Sequence, residues 1–140
     1  MTEQDLIERF FAALAAFDAD AAAAMVTEDY EGIAVDELPL RGSQPTFSGR
    51  AGIRAWIAEI ASSWTDFEIK VARIRRHGDL SIAMGVYEAH GQGGPFGPLD
   101  QRLPFVAVVK TRGDRICMIH TYARYEDAVR AEDLASRTQT

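Results

Sequence analysis

Apolar and polar positions alternate most regularly between Leu80 and Gly91, LSIAMGVYEAHG. Ile82, Met84, Val86, Glu88 and His90 fall on one side of a strand, and Ser81, Ala83, Gly85, Tyr87 and Ala89 on the other. The first side begins apolar and ends in a carboxylate and an imidazole, so it reads as the floor of a pocket that is polar at one end. The second side is small except for Tyr87, which suits a face that another element covers closely.

Before this strand the period is helical. Leu6, Phe10, Ala13, Leu14 and Phe17 recur at helix spacing over Glu3 to Phe17, with Thr2 as the expected N-cap. A short second helix is expected from Ala19 to Val26, capped by Asp18 or Asp20, then a short strand from Tyr30 to Val35. Asp36 to Ser48 contains Pro39, Gly42 and Pro45 and reads as a functional loop. Ile53, Trp56, Ile57 and Ile60 share one face of a helix over Arg50 to Trp64. The remainder reads as strands: Phe67–Arg76, the Leu80 strand, Arg102–Lys110 and Arg115–Tyr125, followed by a polar helical tail. His77-Gly78-Asp79 and Arg112-Gly113-Asp114 are turn signals. Helices first and a strand meander after predict an α+β fold, an antiparallel sheet with helices on one face, curved into a cone with a cavity.

Composition narrows the function classes. The 140 residues fit one domain, with 126–140 as its polar C-terminal tail. A net charge of −6 without a long basic run argues against nucleic acid and anionic membranes as partners. Cys117 is the single cysteine, so no internal disulfide can form. No run approaches the roughly 20 apolar residues of a membrane span. Met1 to Asp5 lacks the basic-then-apolar pattern of a secretory leader, so a cytoplasmic location is expected. The three histidines lie in different elements without ligand spacing, so no metal site is expected. The glycines between Gly91 and Gly97 precede no helix, so no phosphate loop and no cofactor are expected either.

Four stretches carry a family resemblance: ERFFAALAAFDADAAAAMVTEDY, SGRAGIRAWI, GDLSIAMGVYEAHG and LPFVAVVKTRGDRICMIHTYA. Together, over about Leu6 to Ala128, the chain resembles the SnoaL-like group of the nuclear transport factor 2-like superfamily. Relatives include polyketide cyclases, ketosteroid isomerases and limonene epoxide hydrolases. The resemblance implies a half-barrel of the cystatin-like type, a pocket, and dimerisation through the outer sheet face.

It also implies which groups are missing. Phe10 stands where ketosteroid isomerases carry a tyrosine donor. Val106, counted from Pro104, stands where they carry an acid, and Thr121 where limonene epoxide hydrolases carry an aspartate. Asp36 and Glu37 are the acids nearest the isomerase base. The same mapping turns Cys117, Ile119 and Thr121 inward, and His120 and Tyr122 outward.

The remaining acid–base candidates are Glu88 and His90, about 7 Å apart along one strand face, and Asp36 at the cavity mouth. A carboxylate in an apolar cavity has its pKa raised and can act as a base near neutral pH, with an imidazole as donor to a developing oxyanion. Phe10, Trp56, Ile57, Met84, Val106 and Thr121 are the expected substrate-binding residues. Ser81, Ala83, Gly85 and Ala89 are the expected outward residues of a homodimer. Three functions follow: a cofactor-free isomerase, cyclase or epoxide hydrolase acting on an apolar small molecule; a non-catalytic binder of such a molecule; or a protein-interaction module.

Overall fold

A computed structural model of the chain describes residues 2–34, 46–63, 66–91, 99–122 and 124–132. In chain order the elements are α1 (Glu3–Ala15), α2 (Ala19–Ala24), β1 (Val26–Ala34), β2 (Thr46–Ser48) and α3 (Gly49–Ser63). Then come β3 (Asp66–His77), β4 (Leu80–Gly91), β5 (Leu99–Arg112), β6 (Arg115–Tyr122) and α4 (Tyr125–Ala131). The six strands form one curved, open sheet in the order β2-β1-β6-β5-β4-β3. The fold is α+β, as the sequence pattern predicts. The sheet is not wholly antiparallel, however: β1 runs parallel to β6, and the other four pairs are antiparallel.

Local chemistry sets the helix starts. Thr2 caps α1 through a capping box: its hydroxyl accepts from Asp5 N at 3.1 Å, and Asp5 Oδ2 accepts from Thr2 N at 3.2 Å. Asp18 caps α2 by accepting from Ala21 N at 3.1 Å. Arg50, at the start of α3, donates to the carbonyls of Ala23 and Val26 at 3.2 and 3.3 Å. Arg54 pairs with Asp20 at 2.5 Å. These contacts fix α3 against α2 and the root of β1. Gly78 and Gly113 take φ of 61° and 66° in the two hairpin turns, a conformation that favours glycine. Arg112, in the second turn, is held by Asp29 at 2.9 and 3.0 Å.

The core has two parts, one on each face of the sheet. On the helix side, Leu6, Ile7, Phe10, Phe11 and Leu14 of α1 and Ile53 and Ile57 of α3 pack on Ala83, Tyr87, Phe105, Ala107, Val109, Ile116 and Ile119. Ile116 and Ile119 share this side although three residues apart, because the β5–β6 register shifts between Lys110 and Thr111. Glu3 ties α1 to three strands: its carboxylate accepts from Ser81 Oγ, from Arg76 Nη1 at 2.7 Å and from Thr111 Oγ1 at 3.2 Å.

On the outer side, Leu80, Ile82, Val106, Val108 and Tyr122 pack with Ala128 of α4, joined by Met84, Met118, Tyr125 and Val129. The residues 126–140 expected as a polar tail therefore begin with a helix that covers part of the sheet. The side chain of Ile60, all of Trp64 and nearly all of the loop from Asp36 lie outside the described residues.

Candidate functional site

A cleft opens between the helices and the sheet. Among the described residues it is lined by Phe10, Phe11 and Leu14 of α1, Trp56 of α3, Tyr30, Gly32 and Ile33 of β1, Tyr87 of β4, and Ile119 and Thr121 of β6. Its envelope, counted out to the open mouth, is about 370 Å³, and the free space between its walls is about 20 Å³. That space holds roughly one water, for which about 10–15 Å³ suffices. Trp56 is the half-buried ring of the set, whereas Phe10, Phe11, Tyr30 and Tyr87 are buried.

The rings are held by one another. Phe105 stacks against Tyr87 with centroids 4.5 Å apart and planes 19° apart. Phe11 meets Phe105 at 5.5 Å and 53°, and Phe10 meets Phe11 edge-on at 5.9 Å. Burial pushes the phenol of Tyr87 far above its ordinary value. Burial does the same to Tyr30, and the nearby Tyr87 adds to it. Burial therefore favours the protonated form of both hydroxyls. No charged side chain lines the cleft among the described residues.

The residues singled out from sequence divide sharply. Phe10, Trp56 and Thr121 line the cleft. Ile57 is buried in the core beside it, 2% exposed. Met84 and Val106 are corrections: both lie on the outer face, adjacent across β4 and β5, where they join the cluster beneath α4. Counting from Pro104 selects Val106, but Phe105, Ala107 and Val109 are the β5 residues in the helix-side core.

Glu88 and His90 are corrected in the same way. β4 keeps its alternation, but the cleft side is the one with Ala83 and Tyr87, so Glu88 and His90 project from the opposite face. Glu88 meets Lys70 of β3 at 3.2 Å, and His90 is exposed. Alternation does not decide the facing here, because both sides of β4 are buried over Leu80–Ala83. Its small side meets Glu3 of α1 at Ser81 and the β3 backbone at Gly85. Two of the four residues expected to face outward, Ser81 and Ala83, lie on the helix side instead, 3% and 0% exposed. Asp36 lies outside the described residues.

Glu88→Gln is therefore expected to cost under about 1 kcal/mol, as for a partly exposed ion pair. It should leave ligand binding in the cleft unchanged. Urea unfolding and a binding titration check both.

His120 and Tyr122 face outward, as expected, and receive the end of α4. Glu132 accepts from Tyr122 Oη at 2.5 Å and contacts His120 Nδ1 at 2.7 Å, while His120 Nε2 lies 3.5 Å from Glu31. The imidazole is only 18% exposed. The cluster ties α4 to β6 and stands apart from the cleft.

Sequence reasoning missed Tyr30 and Tyr87 as site residues. Tyr87 carried a signal, being the single polar-tipped residue on the small side of β4. Tyr30 carries none: it reads as the first residue of a short strand with no facing assigned, whereas β1 begins four residues earlier, at Val26.

A SnoaL-like domain model matches residues 7–119, most of the chain. The chain belongs to the SnoaL-like domain family. No curated protein sequence matches it significantly. Among solved structures, one similar fold is a protein from Shewanella denitrificans assigned as a SnoaL-like polyketide cyclase. It is 18% identical with a TM-score of 0.74, covering 96% of this chain and 97% of that one. A protein of ketosteroid isomerase-like fold from Catenulispora acidiphila, in complex with trimethylamine, is 20% identical with a TM-score of 0.73, covering 89% and 88%. TerC, co-crystallised with polyporic acid, is 17% identical with a TM-score of 0.70, covering 95% and 97%. At these identities the likeness is one of fold. No helix among the described residues of this SnoaL-like protein is long and apolar enough to cross a membrane.

Proposed function

We propose that this SnoaL-like protein binds a small, largely apolar, uncharged ring compound in the cleft, and that the hydroxyls of Tyr30 and Tyr87 donate to an oxygen of that compound. One observation carries the reading. The ten described lining residues are uncharged, and the two that can ionise are phenols held in their protonated form by burial. Such a lining disfavours a charged guest, which would lose its hydration without a partner. It favours stacking on rings and a hydrogen bond to a carbonyl or phenol oxygen.

The same geometry supplies the electrophilic half of carbonyl chemistry, since neutral donors in a dry site stabilise charge that develops on oxygen. The described lining supplies no base. Binding, with polarisation of a bound carbonyl, is thus the function the cleft supports best. Two proteins of similar fold were crystallised with small molecules, polyporic acid in one and trimethylamine in the other.

The test compares indanone with indane, which lacks the oxygen. Indanone should bind more tightly, and its affinity should be flat between about pH 6 and pH 9 because neither phenol titrates there. Tyr30→Phe and Tyr87→Phe should each weaken indanone by roughly fivefold, about 1 kcal/mol for a lost hydrogen bond. Neither change should alter the affinity for indane. Equal affinity for the two compounds, with both variants like wild type, would remove the hydroxyls from the proposal.

A further inference from the structure

Tyr30 and Gly32 stand two residues apart on β1, and both line the cleft. A Cβ built at Gly32 would lie 2.5 Å from Tyr30 Oη and 3.0 Å from Cε2 and Cζ. The phenol therefore lies back along its own strand, over the bare backbone of residue 32. With about 20 Å³ free between the walls, a small shift of that ring decides whether the cleft is open or filled.

The obstruction at Gly32 is of a particular kind. The atoms in the way are the far end of a side chain, not backbone. A side chain at 32 would displace the Tyr30 ring and leave the strand intact. Glycine inside a strand is itself unfavourable relative to alanine, because the unfolded chain gains more freedom. The stability of β1 thus gives no reason for glycine here, whereas the position of the phenol does.

We infer that Gly32 is a specificity-determining residue of the cleft: by carrying no side chain it lets the Tyr30 phenol lie flat, and so sets the width available to a ligand. This rests on the proposed reading of the cleft as a binding site. The guest it admits is a thin, planar one of the indanone kind.

The test uses the full chain with Gly32→Ala and with the pair Gly32→Ala, Tyr30→Phe. In a crystal structure of ligand-free Gly32→Ala, the Tyr30 ring should be lifted from β1 into the cleft. Indanone affinity should fall at least about tenfold, the scale of one misplaced methyl group in a fitted pocket. Read with indane, whose affinity Tyr30→Phe leaves unchanged, the double variant should bind more tightly than Gly32→Ala, because the hydroxyl oxygen is the atom nearest the new methyl. A Tyr30 ring unmoved in the free variant, or indanone affinity equal to wild type, would overturn the inference. If wild type itself fails to bind indanone, the proposed function falls instead, and the ligand-free structure still decides whether Gly32 places the phenol.

Discussion

Gly85→Ala is expected to destabilise the protein by about 3 kcal/mol, the upper range for overpacking a close contact. A Cβ at this position would sit 1.9 Å from the carbonyl oxygen of Lys70 and 3.0 Å from Val71 Cα. Both obstructing groups are backbone, so no rotamer change relieves the clash. The approach arises where the register of β3 against β4 shifts between Val71 and Arg73. The extra residue there bends β3 over the helix side of the sheet, and α1 packs against the bent strand. Relief would require opening the β3–β4 ladder. Urea unfolding should show a lower midpoint with an unchanged slope. A midpoint equal to wild type would mean that the strands do not approach in this way.

The second large effect is expected at Phe105, which is 1% exposed. Phe105→Ala should cost about 3–5 kcal/mol, as for a large buried ring replaced by a methyl. The loss has a functional side too. Phe105 backs Tyr87 at 4.5 Å and touches Phe11, yet does not itself line the cleft. Removing it frees the Tyr87 ring to turn, so ligand affinity should fall further than in Tyr87→Phe. Phe105→Leu, which keeps most of the volume, should cost clearly less. Equal destabilisation by Ala and Leu would point to the aromatic stack, not the filled volume, as the main contribution.

These two positions show what the sequence makes legible. The order of the helices and of the four long C-terminal strands, the cap at Thr2, and both ends of β4 follow from short-range chemistry and periodicity, whereas β2 lies at Thr46–Ser48, inside the stretch that reads as a loop. Facing did not follow. Period-two alternation tells which residues share a side, not which side meets the helices. Where both sides are apolar, as over Leu80–Val86, greasiness does not decide between them. The deciding facts are long-range: Glu3 of α1 meets Ser81 across 78 residues, and α4 covers the other face. The parallel β1–β6 pair escaped for the same reason, since the two strands are far apart in the chain. Thr121 was placed on the cleft side by family mapping, whereas Val106 was misplaced by one residue. A one-residue slip in a strand sends the side chain to the opposite face.

The candidate site was therefore legible in part. Phe10 and Trp56 follow from helical spacing, and Thr121 from resemblance. The two phenols that give the cleft its chemistry became visible only when β1 and β4 were brought to the same cavity wall. Their position puts two phenols on the cleft lining, where Glu88 and His90 are absent.

The most direct test of this account is chemical-shift mapping of indanone on the isotope-labelled full chain. Saturating indanone should move the signals of Tyr30, Trp56, Tyr87 and Thr121, and leave those of Met84, Glu88 and Val106 in place. The largest shifts at Glu88, His90 and Met84, with the cleft tyrosines unmoved, would contradict it.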